Sequence, residues 1–172
     1  SQRLSKLHKK QLHRTHIRTQ RALKLRKKHQ ILSLEKSQLE KDHNHITQSL
    51  DTAHQIQHAI LPPTRDLKIL SDYFVVWQPK DKVGGDYYWI HRCGRGTLVA
   101  VIDCTGHGVP GALMTVIAHA ALRQIISTID ISRLNPALML QELNGLVKAS
   151  LTPPENIRHA NEGMDVSICL IE

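Results

Sequence analysis

The first sixty residues contain neither glycine nor proline, and a proline pair, Pro62-Pro63, follows directly. A stretch of that length without a breaker favours one continuous helix, because glycine and proline are the residues a helix interior tolerates least. Read by sevens, it carries an apolar series at Leu25, Leu32, Leu39, Ile46, Ala53 and Ile60, the pattern of a coiled-coil seam. The companion positions are Lys28, Glu35, Asp42, Ser49 and Ile56, of which only Ile56 is apolar. The seam is incomplete, so the expectation is a weak helical pair that responds to its neighbours. The alternative is one solvated helix docked on the domain that follows. Proline removes a backbone donor and restricts the residue before it, so Pro62-Pro63 ends the helix. The expected organisation is a basic helical arm over residues 1–61 and a folded domain over 62–172.

Charge divides the chain at the same place. Residues 1–58 hold 13 Lys/Arg against 4 Asp/Glu, whereas residues 59–172 hold 10 against 11. The net charge of +8 therefore belongs to the arm. Its basic run, from Lys6 through Lys28, reads first as a solvated helix face and second as a segment beside an anionic membrane surface. Nucleic acid is disfavoured, because no aromatic residue precedes Tyr73 and base stacking needs aromatics. Cys93, Cys104 and Cys169 lack both the number of a disulfide framework and the paired spacing of a zinc site. They read as reduced thiols of a cytoplasmic protein. No signal peptide is evident and no apolar run is expected to span a bilayer. The arm leaves open a cytoplasmic portion of an inner-membrane sensor. Ser1 starts within the helical pattern, so the chain is expected to be a piece of a longer protein.

Beyond the prolines, strand-like segments are predicted at Ile69–Trp77, Asp86–His91 and Thr97–Asp103. Helices are predicted at about Val109–Ser127 and Pro136–Ala149, the first presenting Ala112, Leu113, Val116, Ile117, Ala120 and Ile125 near one face. Pro153-Pro154 marks a loop, and Met164–Ile171 a last strand. The order β-β-β-α-α-β indicates an α+β fold.

Two short stretches carry the chemistry. Val83-Gly84-Gly85-Asp86-Tyr87-Tyr88-Trp89 places Asp86 after a glycine pair at the start of a strand. Val101-Ile102-Asp103-Cys104-Thr105-Gly106-His107-Gly108-Val109-Pro110-Gly111-Ala112 places Asp103 at the end of an apolar strand, before a glycine-rich turn into a helix. Two carboxylates at the ends of adjacent strands can converge, and their oxygens suit hard divalent cations. Glycines beside them admit close approach of backbone or phosphate. Taken singly, each aspartate reads more readily as a turn or capping residue.

Taken together, with Ile60–Pro63 ahead of them, the stretches resemble the signatures of bacterial phosphatases like stage II sporulation protein E. These form a branch of the metal-dependent, type-2C protein phosphatases. The resemblance covers about residues 57–172, and the turn from Asp103 to Ala112 is its most specific part. It implies a β-sandwich flanked by helices, with a two-metal site at one edge holding Mn²⁺ or Mg²⁺. Asp86 and Asp103 match the family's metal-ligand aspartates, with the Cys104 carbonyl as a neighbouring ligand and Asp165 as an accessory one or a solvent-facing strand residue. The implied reaction is hydrolysis of phosphoserine or phosphothreonine by a metal-activated water attacking in line. His107 has two readings: a group that contacts phosphate or protonates the leaving group, or one that only hydrogen-bonds the turn. Gly106 and Gly108 shape that turn and are placed at the substrate.

The family pattern continues with an Asp-Gly turn and an Asp-Asp pair that do not occur before residue 172. The chain by itself is therefore expected to bind metal weakly and to have little activity. The implied partner is a phosphoprotein such as a small anti-sigma-factor antagonist, with a second copy of the chain paired through the arm. The competing reading is a non-enzymatic dimerisation module with a degenerate phosphatase-like domain.

Overall fold

The computed structural model describes residues 2–70, 72–94, 96–130, 135–152 and 162–172. It forms two compact units, residues 1–48 and 49–172. The first is the leading part of one helix, α1 (Gln2–Ile60). Its seam residues Leu25, Leu32, Leu39 and Ile46 are exposed, Leu39 at 70%.

The second unit begins with the last turns of α1, which ends at Ile60, ahead of Pro62-Pro63. A short helix α2 (Thr64–Leu67) follows. Next come strands β1 (Asp86–Cys93) and β2 (Gly96–Cys104), helices α3 (Gly108–Thr128) and α4 (Pro136–Leu151), and strand β3 (Met164–Ile171). The strands form one antiparallel sheet in the order β1-β2-β3. The protein is thus α+β with a long N-terminal helix, and the described residues supply a single three-stranded layer of the expected sandwich.

Side chains alternate across the sheet, as a period of two requires. One face carries Tyr87, Trp89, Leu98, Ala100 and Ile102, all buried in a common core with Met114, Ala118, Leu122 and Ile125 of α3 and Met139 and Leu143 of α4. Each large apolar side chain buried there contributes about 1.5–3 kcal/mol. The other face is open, with Val101 exposed at 60%.

Three sequence expectations are corrected. Ile69–Trp77 is not a strand: no described segment pairs with it, and Phe74 and Val76 are 89% and 80% exposed. Its β propensity has no neighbouring ladder to satisfy its backbone. The buried face of α3 is also rotated from the expected one. Gly111, Ala112, Met114, Thr115, Ala118, Ala121, Leu122 and Ile125 point inward, while Leu113 is 61% exposed. The cause lies at the start of α3, where Gly111 must face the backbone of Gly85 (see below) and so sets the helix's rotation.

The same helix is long and apolar enough, by length and composition, to cross a membrane, contrary to the expectation that no segment approaches this. Its inward face is a core face of this unit. Helix α4 starts as its sequence dictates: the Asn135 side chain accepts a hydrogen bond from the Leu138 amide at 2.9 Å, and Pro136 occupies the first turn. The expected loop at Pro153-Pro154 lies outside the described residues.

Candidate metal centre

Asp86 is the first residue of β1, and Asp103 is its direct partner on β2. Asp165 of β3 is in turn the direct partner of Asp103. Register alone therefore places the three aspartates in one row across the sheet, on the open face, and all three are exposed. The Cys104 amide donates to the Gly85 carbonyl at 3.1 Å. Antiparallel pairs alternate, so the adjoining Asp86–Asp103 pair is a non-hydrogen-bonded one, the kind in which side chains lie closest.

Glycine brings the two motifs together. A Cβ on Gly85 would stand 2.6 Å from the Cys104 carbonyl oxygen and 2.8 Å from that of Gly106. A Cβ on Gly111 would stand 2.5 Å from the Gly106 oxygen and 3.0 Å from both N and Cα of Gly85. The Gly-Gly-Asp strand start, the Asp103 turn and the start of α3 are thus packed backbone to backbone. The turn itself needs Gly106 (φ +89°) and Gly108 (φ +65°), a region that residues with a Cβ avoid.

His107 is the N-cap of α3 and makes no side-chain capping bond there. Its Nδ1 lies 2.9 Å from an Asp81 carboxylate oxygen, and both side chains are largely exposed. Asp81 received no role from the sequence; only its charge next to Lys80 and Lys82 marked it. Thr105 was also missed. Its amide and hydroxyl both donate to the Gly163 carbonyl, at 2.9 and 3.0 Å, and its hydroxyl accepts from the Gly163 amide at 3.0 Å. This double tie fixes the entry to β3 and hence the register of Asp165. Cys104 is buried, and burial, then the Asp103 and Asp86 carboxylates, push its thiol up to about 12. The thiol is therefore inert filler, and the carbonyl of Cys104 faces Gly85.

The donor chemistry fits a hard cation: carboxylates stand in a row, and the backbone carbonyls of Cys104 and Gly106 pack against Gly85, the residue before Asp86. The fit is partial. Among the described residues, no three His, Cys, Asp or Glu side chains converge into a ready-made metal cluster. The row supplies oxygen ligands without a closed shell.

A second polar cluster lies on the core face. The Tyr87 hydroxyl is 3.2 Å from the Ile60 carbonyl and 2.7 Å from His119 Nδ1. With one proton to give, it serves both only by donating to Ile60 and accepting from Nδ1–H of His119. Burial raises Tyr87 well above the usual phenol range, while burial and then Arg123 lower both His119 and His91.

Residues 94–171 match the stage II sporulation protein E (SpoIIE) family. No curated protein matches the chain. Among solved structures, the chain is similar to the SiaA-PP2C domain of Pseudomonas aeruginosa, with 37% sequence identity and a TM-score of 0.59. That similarity covers 73% of this chain and 48% of the other, so the chain spans about half the length of its neighbour. The sequence match, the shared fold and the aspartate row agree, and together they support a SpoIIE-like domain of the type-2C phosphatases.

Proposed function

We propose that the protein is a metal-dependent protein serine/threonine phosphatase of bacterial signalling, acting on a phosphoserine or phosphothreonine of a partner protein. The observation that carries this reading is the row Asp86–Asp103–Asp165, set by strand register beside the glycine-packed turn. Asp86 and Asp103 would hold divalent ions, with the Cys104 carbonyl beside them and Asp165 as an accessory oxygen donor. When bound, two such ions, Mn²⁺ or Mg²⁺, supply Lewis-acid activation of water and neutralise charge on the phosphoryl group. The chain's own contribution is positional. The glycine contacts hold the two strand ends together, and Thr105 holds the third. Gly106 and Gly108 leave room for a phosphate at the turn. His107, oriented by Asp81, stands where it can meet a phosphate oxygen or a leaving group.

The partner class that fits the family is a small phosphoprotein switch of the anti-sigma-factor-antagonist kind. The exposed seam of α1 suits a second copy of the chain, and the basic run preceding it suits a place on the cytoplasmic side of a membrane.

The test is Mn²⁺-dependent release of phosphate from a phosphoserine protein, by this chain and by a form extended to the end of its gene. Activity in the extended form that is lost in Asp86→Asn and Asp103→Asn supports the reading. No release from either form, with folding intact, transfers the weight to a non-enzymatic dimerisation module.

A further inference from the structure

Helix α1 carries His54-Gln55-Ile56-Gln57-His58, two histidines four residues apart. That spacing puts both side chains on one helix face, the arrangement by which paired helical histidines hold one metal ion. The two rings are neighbours, with centroids 5.9 Å apart and planes at 61°. Two metal–nitrogen bonds of about 2.0–2.1 Å can bridge rings at that separation.

The surroundings prepare the pair. His54 Nδ1 lies 2.8 Å from the Lys82 carbonyl oxygen. A carbonyl only accepts, so Nδ1 carries the proton and the neutral ring keeps its lone pair on Nε2. A backbone carbonyl on the far ring nitrogen is the support that metal-ligating histidines usually have; it fixes the tautomer and makes the ligand more basic. The His58 ring is exposed and makes no hydrogen bond among the described residues, so its nitrogens are open to a ligand. The Trp77 ring stands against both histidines, at centroid distances of 6.5 Å from His54 and 6.2 Å from His58. Its N–H is committed to the Asp86 carbonyl at 3.0 Å, so it does not compete for the imidazole lone pairs. The Lys82 amine is ion-paired with Asp51, so Lys82 brings no uncompensated charge to the pair.

We infer that His54 and His58 form a binding site for a borderline divalent transition metal, Zn²⁺, Cu²⁺ or Ni²⁺, separate from the aspartate row. Imidazole suits these ions, whereas carboxylate and carbonyl oxygens suit Mg²⁺ and Mn²⁺. Among the described residues no third His, Cys, Asp or Glu side chain joins the pair, so the remaining coordination positions belong to water or an exogenous ligand. The inference does not rest on the reading of Asp86 and Asp103 as metal ligands. It gives the chain a second site of different metal chemistry.

The experiment titrates the full chain with Zn²⁺ and with Cu²⁺, beside His54→Gln, His58→Gln, the control His43→Gln and the double variant Asp86→Asn/Asp103→Asn. Calorimetry reads affinity, NMR reads the imidazole resonances of His54 and His58, and fluorescence reads quenching of Trp77 by Cu²⁺. Zn²⁺ should shift both rings together, and Cu²⁺ should bind more tightly than Zn²⁺, as the general affinity order of these ions has it. His54→Gln and His58→Gln should each weaken binding by about tenfold or more and remove the quenching. His43→Gln and the double aspartate variant should match the parent at both rings, and Mg²⁺ should leave the rings unshifted.

Zn²⁺ that shifts neither ring, or that binds His58→Gln as tightly as the parent, overturns the inference. Zn²⁺ binding lost in the double aspartate variant and kept in both histidine variants also overturns it, and assigns the ion to the aspartate row. If His54→Gln does not fold for want of the bond to Lys82, His58→Gln decides, because the His58 ring gives up no hydrogen bond. If the pair binds Zn²⁺ while the aspartate row binds no metal, the inference stands and the metal reading of the row fails.

Discussion

Asp86 and Asp103 face each other across β1 and β2, one residue beyond the hydrogen bond from the Cys104 amide to the Gly85 carbonyl. Their carboxylates are exposed, and among the described residues neither has an ion-pair partner. Two like charges held side by side by backbone register gain from a shared cation. Asp86→Asn or Asp103→Asn is expected to weaken Mn²⁺ binding by tenfold or more, on the order of 1.4 kcal/mol, with little change in thermal midpoint. Asp165→Asn is expected to have a smaller effect. Calorimetric titration of the three variants checks the order.

Burial and the two neighbouring carboxylates hold the Cys104 thiol at about 12, so it is protonated at neutral and mildly alkaline pH. The thiolate is the reactive form. A disulfide reagent applied to the folded chain at pH 8 should modify Cys169, which is exposed, and Cys93, which is half-buried, and should spare Cys104 until the chain unfolds. Mass mapping of the labelled peptides reads the result.

The glycine contacts predict opposite outcomes for the same substitution. Gly111→Ala places a methyl 2.5 Å from the Gly106 carbonyl oxygen and should destabilise by about 1–3 kcal/mol, as overpacking against backbone does. Gly145→Ala, in α4 with nothing within 4 Å of its new Cβ, should stabilise by up to about 1 kcal/mol, the helix-propensity difference. Urea unfolding of both variants separates them.

Burial, and then Arg123, lower His119 and His91 below the value they would have in an unfolded chain. A depressed histidine favours folding above its unfolded value, near 6.5. That contribution is lost as pH falls through the folded value. Stability should therefore decline on acidification below about pH 6.5, and His119→Gln should flatten the decline. Tyr87→Phe removes the donor to the Ile60 carbonyl and the acceptor for His119, and should cost about 1 kcal/mol or more at neutral pH. Thermal midpoints between pH 5 and 8 test both.

The exposed leucines of α1 predict association. Leu25, Leu32 and Leu39 sit seven residues apart on a helix with no described neighbour along that stretch. The chain is expected to be dimeric, and removal of residues 1–48 should leave a monomer with residues 49–172 still folded. Light scattering on both forms decides the matter, and an unchanged mass would sink the pairing through the arm.

Much of this was legible in the residues. The lack of breakers before Pro62 dictated one helix, the alternation in Tyr87–Ile90 and Leu98–Ile102 dictated strands, and the two aspartate motifs marked the candidate site, because each depends on local backbone preference or short-range spacing. What depended on contacts between distant segments was not legible. Ile69–Trp77 has strand composition but no partner strand among the described residues, so its propensity goes unused there. The inward face of α3 followed from Gly111 pressing on Gly85, a contact between residues 26 apart. Asp165, named from the sequence as an accessory ligand or a solvent-facing residue, stands beside Asp103 only through strand register, and Gln57 is buried where Gly84 and Thr115 reach it in space. Sequence by itself determined most of the elements and the positions of the charges and carboxylates of the candidate site. Only the tertiary structure decided which of them meet, because register, helix rotation and buried hydrogen bonds are settled by packing across the chain rather than along it.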